Sequence, residues 1–196
     1  MEISAEQIKK VREETGVSVI EVKKALVEAK GDEQKAKAIL RKKGAASAEK
    51  KSEREIKSGV IEAYIHDSKI GVLIEIGCET DFVARNTDFK NFAHEIALQI
   101  AATNPLYVSK DQIPQEVLEK QKDLFEDEAL SDKKPKNILD KIVEGKLEKY
   151  YQEACLLNQP SVRDDSKTVQ DLLSEIIQKL GENIKISRFV RFRLGE

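Results

Sequence analysis

Few residues in this sequence could carry out catalysis. Among the 196 residues there are two histidines, His66 and His94, and neither has a cysteine or a second histidine at the spacing of a metal site. The sequence contains no Gly-x-Ser-x-Gly nucleophile motif and no Gly-x-x-x-x-Gly-Lys-Ser/Thr phosphate loop. The acidic run at residues 126–128 is typical of a solvated helix surface. We therefore predict a protein that is not an enzyme and has no metal or cofactor of its own.

One segment has an unusual composition for a loop. Residues 79–86 (Glu-Thr-Asp-Phe-Val-Ala-Arg-Asn) follow a predicted strand and precede a predicted helix. In one interpretation Phe82 folds back onto the core, while Asp81 or Asn86 caps the following turn. In the other, Phe82 is presented to a partner, because aromatic anchors carry much of the binding energy at protein interfaces. The residues alone leave both interpretations open.

The first 57 residues divide into two parts. Residues 1–45 predict a small bundle of three helices, each beginning at an N-cap side chain and ending at a glycine. These pairs are Ser4 with Gly16, Ser18 with Gly31, and Asp32 with Gly44. Residues 46–57, rich in Ala, Lys, Glu and Ser, have little to bury and predict a linker helix at a domain boundary.

The remaining sequence predicts an α+β core domain over residues 58–181. Two runs rich in β-branched residues, 60–66 and 70–77, predict a β-hairpin, and 78–86 a loop. Helices are predicted from Thr87 as cap, over 115–130, over 135–155 and over 169–180. Residues 182–196 predict a strand that returns to an antiparallel sheet. Its apolar residues Ile184, Ile186, Val190, Phe192 and Leu194 are expected to share one face, with Arg188 out of pattern on that face and Phe189 pointing the other way.

Composition restricts the class of protein further. Charged residues make up 36% of the chain, yet the net charge is only −2, so a dedicated nucleic-acid binder is not expected. The two cysteines, Cys78 and Cys155, form no paired motif, which suits free thiols in a reducing compartment. The N-terminus lacks the pattern of a secretion signal, and no apolar run is long enough to span a membrane. We predict a cytoplasmic protein.

Three motifs, in order and spread over the whole chain, resemble those of one protein family. Residues 15–26 (Thr-Gly-Val-Ser-Val-Ile-Glu-Val-Lys-Lys-Ala-Leu) are similar to the N-terminal signature of elongation factor Ts. Residues 78–86 (Cys-Glu-Thr-Asp-Phe-Val-Ala-Arg-Asn) resemble its second signature. Residues 179–184 (Lys-Leu-Gly-Glu-Asn-Ile), followed by Arg188 and Phe189, resemble its C-terminal element. The family often has two methionines where Val19 and Ile20 stand, and often Asp at Glu21, changes that keep an apolar tip and an acidic cap residue.

The resemblance implies an exchange factor that releases GDP from elongation factor Tu so that GTP can bind. It implies a three-helix domain like ubiquitin-associated domains, docking through the loop around Val19 and Ile20, with Lys23 nearby. It also implies a core that displaces the partner's magnesium and disturbs its phosphate loop. The residues implied for this second contact are Thr80, Asp81, Phe82 and Val83. Glu182 and Asn183 are expected to support the core and to touch the partner.

The chain is short for the family and resembles its compact forms, which tend to form homodimers. Two other classes of function stay open from the residues. The bundle could belong to a binding adaptor, which would have no use for residues 80–86. The basic runs, together with Arg188, Arg191 and Arg193, could belong to a ribosome- or RNA-associated protein, against which the near-neutral charge stands. An enzyme of unknown type has little to support it.

Overall fold

The computed structural model describes residues 3–131 and 136–196, and the side chains of all of these except 130, 131 and 136–138. Its helices and strands, in chain order, are α1 Ala5–Thr15, α2 Val19–Glu28, α3 Glu33–Lys51, β1 Ser58–His66, β2 Ile70–Cys78, α4 Asp81–Ala84, α5 Thr87–Thr103, α6 Gln115–Ser131, α7 Lys136–Ala154, α8 Val169–Leu180 and β3 Ile184–Arg193. Two single 3-10 turns, Lys110–Gln112 and Leu156–Asn158, lie between helices. The α+β class predicted from the sequence is confirmed.

The helices α1, α2 and α3 enclose a small core of their own. The side chains of Ser4, Ser18 and Asp32 accept hydrogen bonds from the backbone near the three helix starts, as predicted. Ser4 and Gln7 complete a capping box. The buried residues of this bundle are Val11, Val17, Val22, Ala25, Leu26, Ala29, Ala36 and Leu40. Capping and one apolar stripe per helix therefore account for the bundle.

The third helix does not end at Gly44. It continues to Lys51, so residue 45, the predicted domain end, and half of the predicted linker lie inside α3. Gly44 is absent from the residues with positive φ, which a helix-ending glycine would need. Instead it faces α8, where an added Cβ would lie 2.8 Å from Oε1 of Gln178. The glycine lets two helices approach closely, and Ala48, one turn on, belongs to a second hydrophobic core outside the bundle.

The second core lies between the sheet and the helices α5 and α8. Within the described residues the sheet has three antiparallel strands in the order β1-β2-β3. The hairpin of β1 and β2 pairs Ser58 with Cys78 and His66 with Ile70. One face of β2, formed by Val72, Ile74 and Ile76, packs against the helices. The predicted hairpin is confirmed.

The prediction that the apolar residues of the last strand share one face is wrong. Glu75 pairs with Arg188 whereas Ile76 pairs with Ile186, so Ser187 is an extra residue in a β-bulge. One inserted residue exchanges the two faces of a strand because side chains alternate with a period of two. Ile184 and Ile186 are buried and Phe189 packs on the core. Beyond the bulge the outward apolar residues are Val190, Phe192 and Leu194.

The helices α6 and α7 pack on each other as a hairpin and match their predicted positions. Pro135, the predicted first residue of the second of them, lies outside the described residues.

A buried amide pair holds the loop after α7 in place. Gln99 donates to Gln159 Oε1 at 3.2 Å and accepts from the backbone of Val162 at 2.8 Å. In the described parts of the chain, every helix is too short or too polar to cross a bilayer.

The contact at Gly44 leads to a prediction about stability. Gly44→Ala should change the free energy of unfolding by less than about 1 kcal/mol, because the helix propensity of Ala offsets a small shift of the Gln178 side chain. Gly44→Leu should lower it by about 1–3 kcal/mol, because α8 has to move away. Urea unfolding followed by circular dichroism measures both.

A helical glycine in α7 provides the control, since a Cβ at Gly145 meets nothing within 4 Å. Gly145→Leu should not destabilise the protein. Equal losses for Gly44→Ala and Gly44→Leu would contradict close packing of α3 on α8 and would favour a helix end at Gly44.

Candidate partner-binding site

The segment between β2 and α5 contains a short helix rather than the predicted loop. Thr80 has extended backbone angles, and its Oγ1 accepts a hydrogen bond from the backbone N–H of Val83 at 3.4 Å, which starts α4. Asn86 then caps α5 by accepting from the backbone N–H of Asp88 at 2.7 Å. Thr87, the predicted cap, is the first residue of that helix. Asn86 therefore has the capping role that one interpretation of the sequence gave it.

Helix α4 directs two neighbouring apolar side chains in opposite directions. Phe82 is 83% exposed, while Val83 is 3% exposed and belongs to the main core. The interpretation in which Phe82 folds back onto the core is thus wrong. Val83, which the resemblance grouped with the contact residues, instead packs in the core and holds α4 against it. Burial of Val83 and exposure of Phe82 are two consequences of one helical turn.

Asp81 stands beside the exposed ring, and its carboxylate is held by the first strand. Oδ1 accepts a hydrogen bond of 2.5 Å from the hydroxyl of Ser58. Ser58 pairs with Cys78 at the open end of the hairpin, so the register of the strands places it next to the segment. Sequence reasoning missed Ser58, although counting back from the turn at Asp67 and Ser68 would have found it. The site thus presents an aromatic ring and an oriented carboxylate on the surface.

Glu182 joins the end of α8 to the start of the candidate site. Its Oε2 accepts from the backbone N–H groups of Glu79 and Thr80, each at 3.0 Å, and its Oε1 accepts from the hydroxyl of Thr80 at 2.6 Å. Gly181, with φ of 79°, ends α8 and turns the chain so that Glu182 follows directly. Glu182 therefore contacts the segment that was predicted to bind a partner.

Asn183 connects the same segment to the end of α3. Its side-chain amide donates to the carbonyls of Ser52 at 3.2 Å and Arg54 at 2.8 Å. Its backbone N–H donates to Oε1 of Glu79 at 2.6 Å. With 3% of its surface exposed, Asn183 supports the fold and offers little for a partner to touch.

The thiol beneath the site is shielded. Cys78 is fully buried, and its Sγ donates to the carbonyl of Thr80 at 3.2 Å. Burial raises the pKa of the Cys78 thiol, and the nearby Glu182 carboxylate adds to that effect. Cys155 is also buried and free, and burial raises its pKa too. Both thiols therefore resist ionisation, which makes them poor nucleophiles.

A second exposed apolar surface lies on α2. Val19 is 45% exposed, Ile20 68% and Val27 58%, and Lys23 is exposed between them. The predicted loop around Val19 and Ile20 is the first turn of a helix, since Ser18 is its N-cap. Sequence reasoning missed Val27, although its spacing of seven residues from Ile20 places both on one helix face. We call Val19, Ile20, Lys23 and Val27 the α2 patch.

Each of the C-terminal arginines contacts an acceptor within the chain. Arg188 donates to Oε2 of Glu75 at 2.8 Å, and Arg193 lies 3.3 Å from Oε1 of Glu196. The Arg191 side chain is mostly buried and reaches the carbonyl of Ala101. These contacts within the chain weaken the alternative in which the arginines bind RNA phosphates.

The amino-acid sequence was compared with protein-family models and with known proteins. The sequence model of the family described as Elongation factor TS matches residues 2–196. The chain belongs to the elongation factor Ts family. Among proteins named Elongation factor Ts, that of Caldanaerobacter subterraneus is 56% identical over 195 residues, covering 99% of this chain and 98% of its own. That of Thermotoga maritima is 54% identical over 197 residues, covering 100% and 98%. That of Coprothermobacter proteolyticus is 55% identical, with both chains fully covered.

The opposite environments of Phe82 and Val83 give a prediction for this family member. Phe82→Ala should change the free energy of unfolding by less than about 0.5 kcal/mol, because the ring already lies in water. Val83→Ala should lower it by about 2 kcal/mol, because it removes two buried methyl groups and leaves a cavity. Chemical denaturation of the two variants makes the comparison. A loss for Phe82→Ala as large as that for Val83→Ala would mean that the ring is packed in solution.

Proposed function

We propose that this protein is a guanine nucleotide exchange factor that binds GDP-loaded elongation factor Tu in the cytoplasm and speeds GDP release. The observation that carries the proposal is the exposed Phe82 ring beside Asp81, in a member of the elongation factor Ts family. An exposed aromatic ring beside an oriented carboxylate has the character of the aromatic anchors that carry much of the binding energy at protein interfaces. The protein makes and breaks no covalent bond in this function.

In the proposed mechanism, Phe82 inserts between side chains of the partner's nucleotide-binding domain. Insertion shifts the groups that coordinate magnesium and the loop that holds the phosphates, so the diphosphate loses contacts. Asp81, oriented by Ser58, approaches the same region and adds negative charge near the departing nucleotide. Thr80 and Val83 contribute by holding α4, from its N-cap and from the core respectively.

Thermodynamic linkage between the exchange factor and the nucleotide sets the free energy that insertion of Phe82 must supply. We call the inserted ring the wedge. An exchange factor and a nucleotide that weaken each other's binding share one coupling free energy. A thousandfold faster release requires lowering the barrier by roughly 4 kcal/mol. A central aromatic residue of an interface contributes about 2–4 kcal/mol, so Phe82 with a displaced metal ion is of the right magnitude.

The α2 patch is the proposed docking surface for the same partner. It lies on a three-helix bundle that we propose is similar to ubiquitin-associated domains, and it combines exposed apolar side chains with Lys23. Docking there would supply affinity without disturbing the nucleotide. The proposal thus separates binding, through α2, from nucleotide release, through α4.

This separation predicts different kinetic effects for two substitutions. Phe82→Ala should lower the rate of GDP release at saturating exchange factor by at least about tenfold, with a smaller effect on affinity, because the bundle still docks. Ile20→Ser should weaken affinity by about tenfold and leave the saturating rate near that of wild type. Stopped-flow release of a fluorescent GDP analogue from elongation factor Tu, measured over a range of exchange-factor concentrations, gives both quantities.

Leu106→Ala is the matched control, since Leu106 is 63% exposed and lies in neither surface. It should exchange nucleotide like wild type. A saturating rate for Phe82→Ala equal to that of wild type would refute the wedge. Nucleotide release that is equally slow with and without the wild-type protein would refute the exchange function.

We further propose that the protein forms a homodimer through the outer face of its sheet. Ile61 and Ile65 on β1, Leu73 on β2, and Val190 and Phe192 on β3 are between 41% and 72% exposed on that face. The charged pair within it, Glu75 with Arg188, is already joined by a 2.8 Å contact in the same chain. A two-fold interface needs a surface complementary to itself, and the centre of this face is apolar, with the exposed Lys185 at the end where it lies opposite Gly77.

Phe192→Asp tests the dimer. It should convert the protein to a monomer at micromolar concentration, because two carboxylates would meet in an apolar interface. Sedimentation velocity measures the change, with Leu124→Asp as control, since Leu124 is an exposed apolar residue on α6. A wild-type protein that sediments as a monomer throughout would exclude the homodimer.

A further inference from the structure

We infer that Glu182 is a positioning residue for exchange: its carboxylate fixes the direction in which α4 presents Phe82. This inference rests on the proposed function and assigns the C-terminal element a specific part in it. Glu182 is distant in sequence from the segment that it holds, yet three hydrogen bonds join them.

The carboxylate replaces partners that the sheet no longer supplies. β2 ends at Cys78, so the N–H groups of Glu79 and Thr80 lie beyond the last paired residue of the ladder. Oε2 of Glu182 accepts both at 3.0 Å. Backbone donors without a partner would favour a different path for the chain, because unpaired polar groups are costly when water is excluded. Glu182 therefore determines how the chain leaves the sheet.

The third bond sets the cap of α4. The hydroxyl of Thr80 donates a hydrogen bond to Oε1 of Glu182 at 2.6 Å. The hydroxyl oxygen is thereby oriented to accept a hydrogen bond from the N–H of Val83 at 3.4 Å. Without Glu182 that hydroxyl could rotate and donate elsewhere. A helix of four residues has almost no stability of its own, so its start depends on contacts like this one. The orientation of Phe82, two residues after the cap, follows.

Three variants separate the charge of Glu182 from its shape. Glu182→Ala removes every acceptor and should lower the saturating rate of GDP release by about tenfold to a hundredfold, the effect of misplacing a contact group by about 1 Å. Affinity should stay within about twofold of wild type, since the α2 patch is untouched. Glu182→Gln keeps one acceptor oxygen at the same reach and should recover part of the rate. Glu182→Asp is one methylene too short and should resemble Glu182→Ala.

A double variant tests whether Glu182 acts through Phe82. If it does, Glu182→Ala added to Phe82→Ala should slow release no further, because coupled residues are not additive. A full additional loss in the double variant would overturn the inference. A drop in affinity at an unchanged saturating rate would also overturn it, since Glu182 would then be a contact residue. Glu116→Ala, an exposed acid on α6, is the matched control.

A spectroscopic measurement needs no partner. The chain contains no tryptophan, so Phe82→Trp gives a single reporter at the site. Adding Glu182→Ala should lower the anisotropy of its fluorescence, because the helix that holds the ring is released; unchanged anisotropy would count against positioning. If the alanine variant does not fold, Glu182→Gln decides, and a wild-type saturating rate for it overturns the inference.

These outcomes are distinguishable from failure of the proposed function. A wild-type rate for Phe82→Ala would refute the wedge itself. A slow Phe82→Ala together with normal rates for Glu182→Ala and Glu182→Gln would refute the role of Glu182 alone.

Discussion

The protein must keep a phenyl ring in water against the tendency of apolar surface to be buried. Burying a phenylalanine side chain is favourable by roughly 1.5–3 kcal/mol, so a flexible loop would tend to fold Phe82 back onto the core. The structure prevents this because the next residue, Val83, is packed in the core, and the helical turn of α4 then directs Phe82 outward. Everything that fixes this turn therefore maintains the exposed ring.

The turn is fixed at a junction of three parts of the chain. Asn183 binds the carbonyls of Ser52 and Arg54 just after α3, and Glu79 contacts both Arg54 and the backbone of Asn183. Lys51, at the end of α3, reaches the carbonyl of Ile177 on α8. Burial lowers the pKa of Lys51, and Arg54 lowers it further, while Glu79 and Glu21 act in the opposite direction. The helix that completes the N-terminal bundle thus ends against the base of the candidate site.

Sequence patterns anticipated those parts of the fold that depend on local chemistry. The caps at Ser4, Ser18 and Asp32, the hairpin and the helix over 169–180 follow from side chains close in sequence. The errors arose where a distant contact decided the outcome. Gly44 resembles a helix end until α8 is placed beside it, and α4 exists because Thr80 and Val83 find partners far along the chain. Arg188 interrupts the apolar alternation beside the bulge at Ser187, but that interruption alone does not show that the two faces exchange.

Continuity of α3 bears on how docking could influence the wedge. A flexible linker over 46–57 would let the bundle dock while the core sampled many orientations, and the effective concentration of Phe82 at the partner would be low. A single helix from Glu33 to Lys51, packed through Gly44 and Ala48 against the core, instead fixes the α2 patch relative to α4. In the proposed mechanism, ordering entropy would then be lost before binding, so more of the docking energy would remain to drive the ring into the partner. The small residues on α3 would then serve the proposed exchange mechanism as well as the fold.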